Sequence, residues 1–79
     1  MNSPMFRVSG QEIQSTMRRH NVTIRELARR MKVSMRAVRE ARNAGRELPV
    51  ALDYLEAITG EFTPAMRARL NQWRAATNR

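Results

Sequence analysis

The stretch TIRELARRMKVSMRAVREARNAG, Thr23 to Gly45, decides the fold. Its apolar residues fall into two short helical stripes. Leu27, Ala28 and Met31 make the first, and Val38 and Ala41 make the second. Thr23 and Glu26 have the spacing of a capping box, flanked by Val22 and Leu27 where a hydrophobic staple sits. Ser34 is the N-cap of the second helix, with Val33 and Val38 as its staple. Gly45 closes that helix, because glycine accepts a left-handed backbone at little cost. Ala28 is small where the two helices cross, and Val33 is expected to plug the turn at Lys32-Val33. Two short helices crossing over a tight turn make a helix-turn-helix.

Outward from this motif, the same signals place three more helices. Ser9 to Glu12 repeats the capping-box spacing, with Val8 and Ile13 as staple and Ile13 and Met17 on one face. That helix ends in the polar run Arg18 to Asn21. Pro49 suits the first turn of a fourth helix, whose stripe is Leu52, Leu55 and Ile58 and whose end is Gly60. Thr63-Pro64 opens a fifth, in which Met66, Leu70 and Trp73 share a face. No strand-like alternation occurs. The expected fold class is all-α, five helices in one domain over residues 9–75. The helix-turn-helix spans 23–45 and the C-terminal helices 49–75. Residues 1–8 are expected to form an N-terminal arm and 76–79 a frayed tail.

Charge is concentrated. The net charge is +8, and residues 18–46 alone hold ten basic side chains against two acidic ones. The remainder of the chain balances. A basic block of this kind suits a polyanion, since each neutralised phosphate releases condensed counterions. A solvated basic face with no ligand has the same composition. No cysteine is present, which fits a reducing compartment. No apolar run approaches the roughly 20 residues that span a bilayer, and the N-terminus lacks a signal peptide's apolar core. A cytoplasmic protein, nucleoid-associated when bound, is expected.

Catalytic chemistry has no carriers here. There is no cysteine nucleophile, no Ser-His-acid set, no paired histidine and no glycine-rich phosphate loop. His20 stands alone at a helix end. Met17, Met31 and Met66 sit at core spacing and read as packing, not as a haem or copper site. No enzyme, metal, cofactor, membrane or small-molecule substrate is expected.

Thr23, Glu26, Leu27, Ala28, Val33, Ser34 and Val38 stand in the register T-x-x-E-L-A-x-x-x-G-V-S-x-x-x-[IV]. On these residues the chain resembles the lambda-repressor/Cro-like (XRE-type) helix-turn-helix regulators of phages, plasmids and bacteria. The resemblance is close over 23–45 and loose elsewhere. It departs from the pattern at Lys32, where glycine is usual, and at Arg42, where many relatives carry glutamate. Lysine in a glycine position of positive φ costs about 1 kcal/mol.

The resemblance implies a compact five-helix DNA-binding domain whose third helix enters the major groove. With Val38 and Ala41 inward, the opposite face carries Arg36, Arg39, Glu40 and Asn43, with Met35 on a flank. Arg36 and Arg39 are the expected guanine readers. Met35 suits a thymine methyl. Glu40 either accepts from cytosine N4 or holds Arg36 in place. Asn43 lies far down the helix, within reach of the backbone. Phosphate contacts are expected from Thr23, Arg25, Lys32, Ser34, Arg42 and Arg46. Family members usually bind as homodimers on palindromic operators, which puts Tyr54, Ile58, Met66, Leu70 and Trp73 at a dimer interface. Repression of a promoter, the chain's own included, is the implied activity. Two other readings stay open at this point. One is an antitoxin or accessory protein-interaction module, and the other is a non-specific nucleic-acid binder. RNA is disfavoured by an aromatic content of 5%, too low for a stacking platform.

Overall fold

Four side-chain hydroxyls set where helices begin. In the computed structural model, which describes residues 6–77, Ser9 Oγ accepts from the Glu12 amide at 3.1 Å and starts α1, Gly10–Arg19. Thr23 Oγ1 accepts from Glu26 at 3.1 Å and starts α2, Ile24–Met31. Ser34 Oγ accepts from Ala37 at 3.0 Å and starts α3, Met35–Ala44. Thr63 Oγ1 accepts from Met66 at 3.1 Å and starts α5, Pro64–Thr77. The remaining helix, α4, runs Leu48–Thr59 with Pro49 in its first turn and no side-chain cap at Glu47. Only the hydroxyl half of each expected capping box forms. The Glu12 carboxylate accepts instead from Arg69, and that of Glu26 from Arg29 and Arg30.

Helices α1 and α2 stop in the same way. Asn21 and Lys32 adopt positive φ, 56° and 57°. Beyond them, the Val22 amide donates to the Met17 carbonyl at 2.9 Å and the Val33 amide to Ala28 at 3.0 Å. Such bonds satisfy carbonyls that the helix end leaves free. They also close the turn without help from the Val33 side chain, which is 37% exposed and does not plug it.

Helix α4 is the axis of the core. Leu48, Ala51, Leu52, Tyr54, Leu55 and Ile58 are all buried. They meet Ile13 and Met17 of α1, Leu27 and Ala28 of α2, and Met66 of α5 in one apolar cluster. Helix α3 lies across α1 and α2, contributing Val38 and Ala41, both fully buried. Phe62, Leu70 and Trp73 cover the cluster's edge and are half-buried.

A short sheet corrects the expected arm. Arg7–Val8 (β1) pairs antiparallel with Arg46–Glu47 (β2), and Val8 is fully buried. Burial of Val8 beside Ile13 and Leu48 holds these two residues to the domain. Residues 1–5 of that arm, and 78–79 of the expected tail, lie outside the described residues. Helix α5 continues to Thr77, past the expected boundary at 75. No helix among the described residues is long and apolar enough to cross a membrane.

The C-terminal end of α3 is clamped from three sides. Gln14 Nε2 donates to the Arg42 carbonyl at 2.8 Å, and an Arg7 guanidinium nitrogen donates to the Ala44 carbonyl at 2.9 Å. Gly10 supplies the third side by having no side chain. A Cβ there would stand 2.1 Å from the Arg42 carbonyl oxygen. Arg30 similarly fastens α2 to α4, donating to Ala57 O at 2.9 Å and to Ile58 O at 3.4 Å.

Two stability outcomes follow. Lys32→Gly relieves the left-handed strain and raises stability by about 1 kcal/mol, a rise in Tm of about 4–8 °C. Gly10→Ala forces a methyl into backbone and lowers stability by about 2 kcal/mol, as overpacking does elsewhere. Thermal and urea unfolding of the two variants checks both signs.

Candidate nucleic-acid interface

The packing of α3 sorts its residues into two faces. Val38 and Ala41 turn inward. Met35, Arg36, Arg39, Glu40 and Asn43, the five expected base readers, are all exposed and share the outward face. Arg36 stands well out into solvent, with its side chain 87% exposed. Met35 is 38% exposed, an apolar side chain left in solvent at the first turn of the helix.

Glu40 is the one anion on this face. Its Oε1 lies 3.4 Å from Arg36 Nε, one turn earlier on the helix. Its Oε2 lies 3.7 Å from an Arg46 guanidinium nitrogen on β2.

The expected phosphate contacts divide. Thr23, Arg25, Lys32 and Ser34 are exposed. The Thr23 and Ser34 hydroxyls cap their own helices, leaving backbone N–H groups of the first turns facing outward. Arg42 is half-buried, and its Nε is buried with no hydrogen-bond partner among the described residues. Arg46 is drawn aside, donating to the Gly45 carbonyl at 3.0 Å as well as facing Glu40.

Two shallow recesses join these pieces. One lies between the end of α1 and the start of α2, lined by Gln14, Arg18, Thr23, Arg25 and Arg42 among others. The other is lined by Gln14, Ile24, Arg39, Arg42 and Asn43. Gln14, Ile24 and Arg42 belong to both. A continuous basic surface therefore runs from Arg18 and Arg25 through Arg42 to Arg39 on α3. Sequence reading placed Arg18 only in the polar run that ends its helix, and missed Gln14. Their spacing of four on α1 puts them on one helical face, but nothing local tells that this face meets the start of α2.

Other arginines of the basic block are occupied. Arg29 donates to both Glu26 carboxylate oxygens at 2.7 Å, and Arg30 Nε to one of them at 3.1 Å. The hydrogen bonds from Arg29 first, and Arg30 second, hold the Glu26 carboxyl below its ordinary value of 4.5. The same contact raises Arg29.

The expected dimer residues separate too. Tyr54, Ile58 and Met66 are 4%, 2% and 8% exposed and belong to this protomer's own core. They are out of reach of a second subunit, because α4 packs on five neighbouring elements, α1, α2, α5 and both strands, which cover its apolar stripe and Met66 of α5 with it. Leu70 and Trp73 keep part of their surface open. Arg69 bonds Glu12 within the chain at 3.0 Å, and Arg67 lies over the Phe62 ring.

No family model, curated protein or solved structure matches the chain. Among the described residues no group of three or more acidic, histidine or cysteine side chains is placed to hold a metal ion.

The Glu26 pairing has a pH signature. A depressed carboxyl stabilises the fold above its unfolded pKa and loses that contribution as pH falls through the folded value. Glu26→Gln should thus be less stable than wild type at neutral pH, and the difference should close as pH drops below 4.5. Urea midpoints of both proteins across that range measure it.

Proposed function

We propose that this chain is a sequence-specific double-stranded DNA-binding regulator of the lambda-repressor/Cro-like kind, reading its site with α3 in the major groove. The observation that carries the reading is the outward face of α3. It presents Met35, Arg36, Arg39, Glu40 and Asn43 together, next to an uninterrupted basic surface that ends at the start of α2. A helix is the right width for the major groove, and base-edge readers sit toward its N-terminal half. Arg36 and Arg39 have the planar fork that matches guanine O6 and N7. The exposed Met35 suits a thymine methyl. The recess at Arg18, Arg25 and Arg42, with the first-turn amides of α2, takes phosphate and sets register.

In this reading the chain binds a palindromic operator as a homodimer, its half-sites about one helical turn apart. The open parts of Leu70 and Trp73 offer apolar surface to the partner. Occupation of a promoter then represses transcription, and the chain's own promoter is the simplest target.

Selection from a random duplex library near physiological salt tests this directly. Wild type should enrich one palindromic motif. Arg36→Ala and Arg39→Ala should each cost about 1–3 kcal/mol on that motif and relax preference at one position per half-site. Weak, strongly salt-dependent binding to every sequence would instead indicate a non-specific binder. Absence of duplex binding would leave the protein-interaction module.

A further inference from the structure

Glu40 is out of place on a surface built to approach phosphates. A lone carboxylate there repels the DNA backbone and reduces the charge that drives association. It also sits between two arginines from different elements, Arg36 one turn before it on α3 and Arg46 on β2. An exposed ion pair of this kind adds little to stability. Its effect must be sought in what the arginines do when DNA is near.

We infer that Glu40 is a specificity-determining positioning residue. It holds Arg36 against the reading face and Arg46 against the domain, so that neither side chain swings freely toward a phosphate of the backbone. The inference rests on the DNA-reading function proposed above. Arg36 is 87% exposed at the side chain, and Glu40 is its one carboxylate partner among the described residues. Without that partner, a long side chain in solvent sweeps a wide arc and meets the nearest anion. On any duplex, the nearest anion is a phosphate. Arg46 is more confined, at 28% exposure, and Glu40 opposes its approach to the backbone by neutralising it locally. The guanine edge competes for Arg36 differently. It offers two acceptors in the plane of the guanidinium fork, and Glu40 contacts Arg36 through Nε, which leaves the terminal nitrogens available for a base. The carboxylate thus penalises phosphate capture and spares base reading.

The test is Glu40→Gln, which keeps size and removes charge. Binding to a random duplex should rise about five-fold per released arginine at about 0.15 M salt, and the salt slope should steepen by about 0.9. Binding to the selected motif should gain less, so the ratio of specific to random affinity falls. Glu56→Gln, with the same change in net charge on the exposed side of α4, should leave both affinities as they are. In an Arg36→Ala background the gain from Glu40→Gln should shrink, since Glu40 acts through that arginine. In the free protein, Glu40→Gln should move the Arg36 Nε–H resonance, a readout independent of DNA.

Unchanged random-duplex affinity and slope in Glu40→Gln would overturn the inference while leaving the DNA-reading function standing. So would an undiminished gain in the Arg36→Ala background, which would mean that Glu40 only repels phosphate. A loss confined to motif binding would make Glu40 a cytosine reader instead, and would overturn it equally. If neither protein binds any duplex, the function reading fails and this inference fails with it.

Discussion

Close backbone approach at Gly10 governs how α3 is held. With no side chain at that position, the first turn of α1 reaches the carbonyl end of α3, where a Cβ would overlap the Arg42 oxygen. Gln14 and Arg7 then supply donors to carbonyls that a helix terminus leaves without partners. At the other end of α3, Lys32 in a left-handed conformation reverses the chain within a few residues. A helix fixed at both ends, over the small side chains of Ala28 and Ala41, presents a single outward face. That face is the only part of α3 free to meet a ligand.

The basic block is not a uniform surface. Its arginines perform two kinds of work, separated by what each guanidinium can reach. Arg30 reaches backbone carbonyls at the end of α4, and Arg29 reaches Glu26. Outside the block, Arg7 reaches the end of α3 and Arg69 reaches Glu12. These groups tie elements together. Arg18, Arg25, Arg39 and Arg42 line the recesses beside α3 and remain available to an anion. The half-buried Arg42 has in addition a buried Nε without a hydrogen-bond partner among the described residues, which is uncommon in folded proteins. The division concentrates usable charge on one side of the molecule. Asp53 and Glu56 lie on the exposed face of α4.

Helix α4 takes the central place because it is apolar on most of its circumference. Tyr54 and Ile58 are needed there, against α1, α2 and the strands, and so leave little for an interface. Helix α5 packs only on α4 among the main contacts, through Met66 and the half-buried Leu70 and Trp73. Its outer surface is polar or alanine.

How much of this was legible in the chain depends on the range of the forces involved. Capping hydroxyls at Ser9, Thr23, Ser34 and Thr63 act within one turn, and apolar spacing of three and four residues acts within one helix. From these alone come the five helices, the motif at 23–45 and the outward face of α3 with its two arginines. The β1–β2 pair was not legible, because two-residue strands have no period and their partners lie far apart in sequence. Nor was the close approach at Gly10, the convergence of Gln14, Arg18 and Arg42, or the position of Glu40 between Arg36 and Arg46. Val33, Tyr54, Ile58 and Met66 were each apolar residues at helical spacing, and sequence cannot say whether such a residue meets its own core, a turn or another molecule. The sequence by itself determined which helices exist and which way each one faces. Tertiary packing alone decided which faces meet, and hence which charges are occupied and which are free, because burial depends on neighbours that the local pattern does not contain.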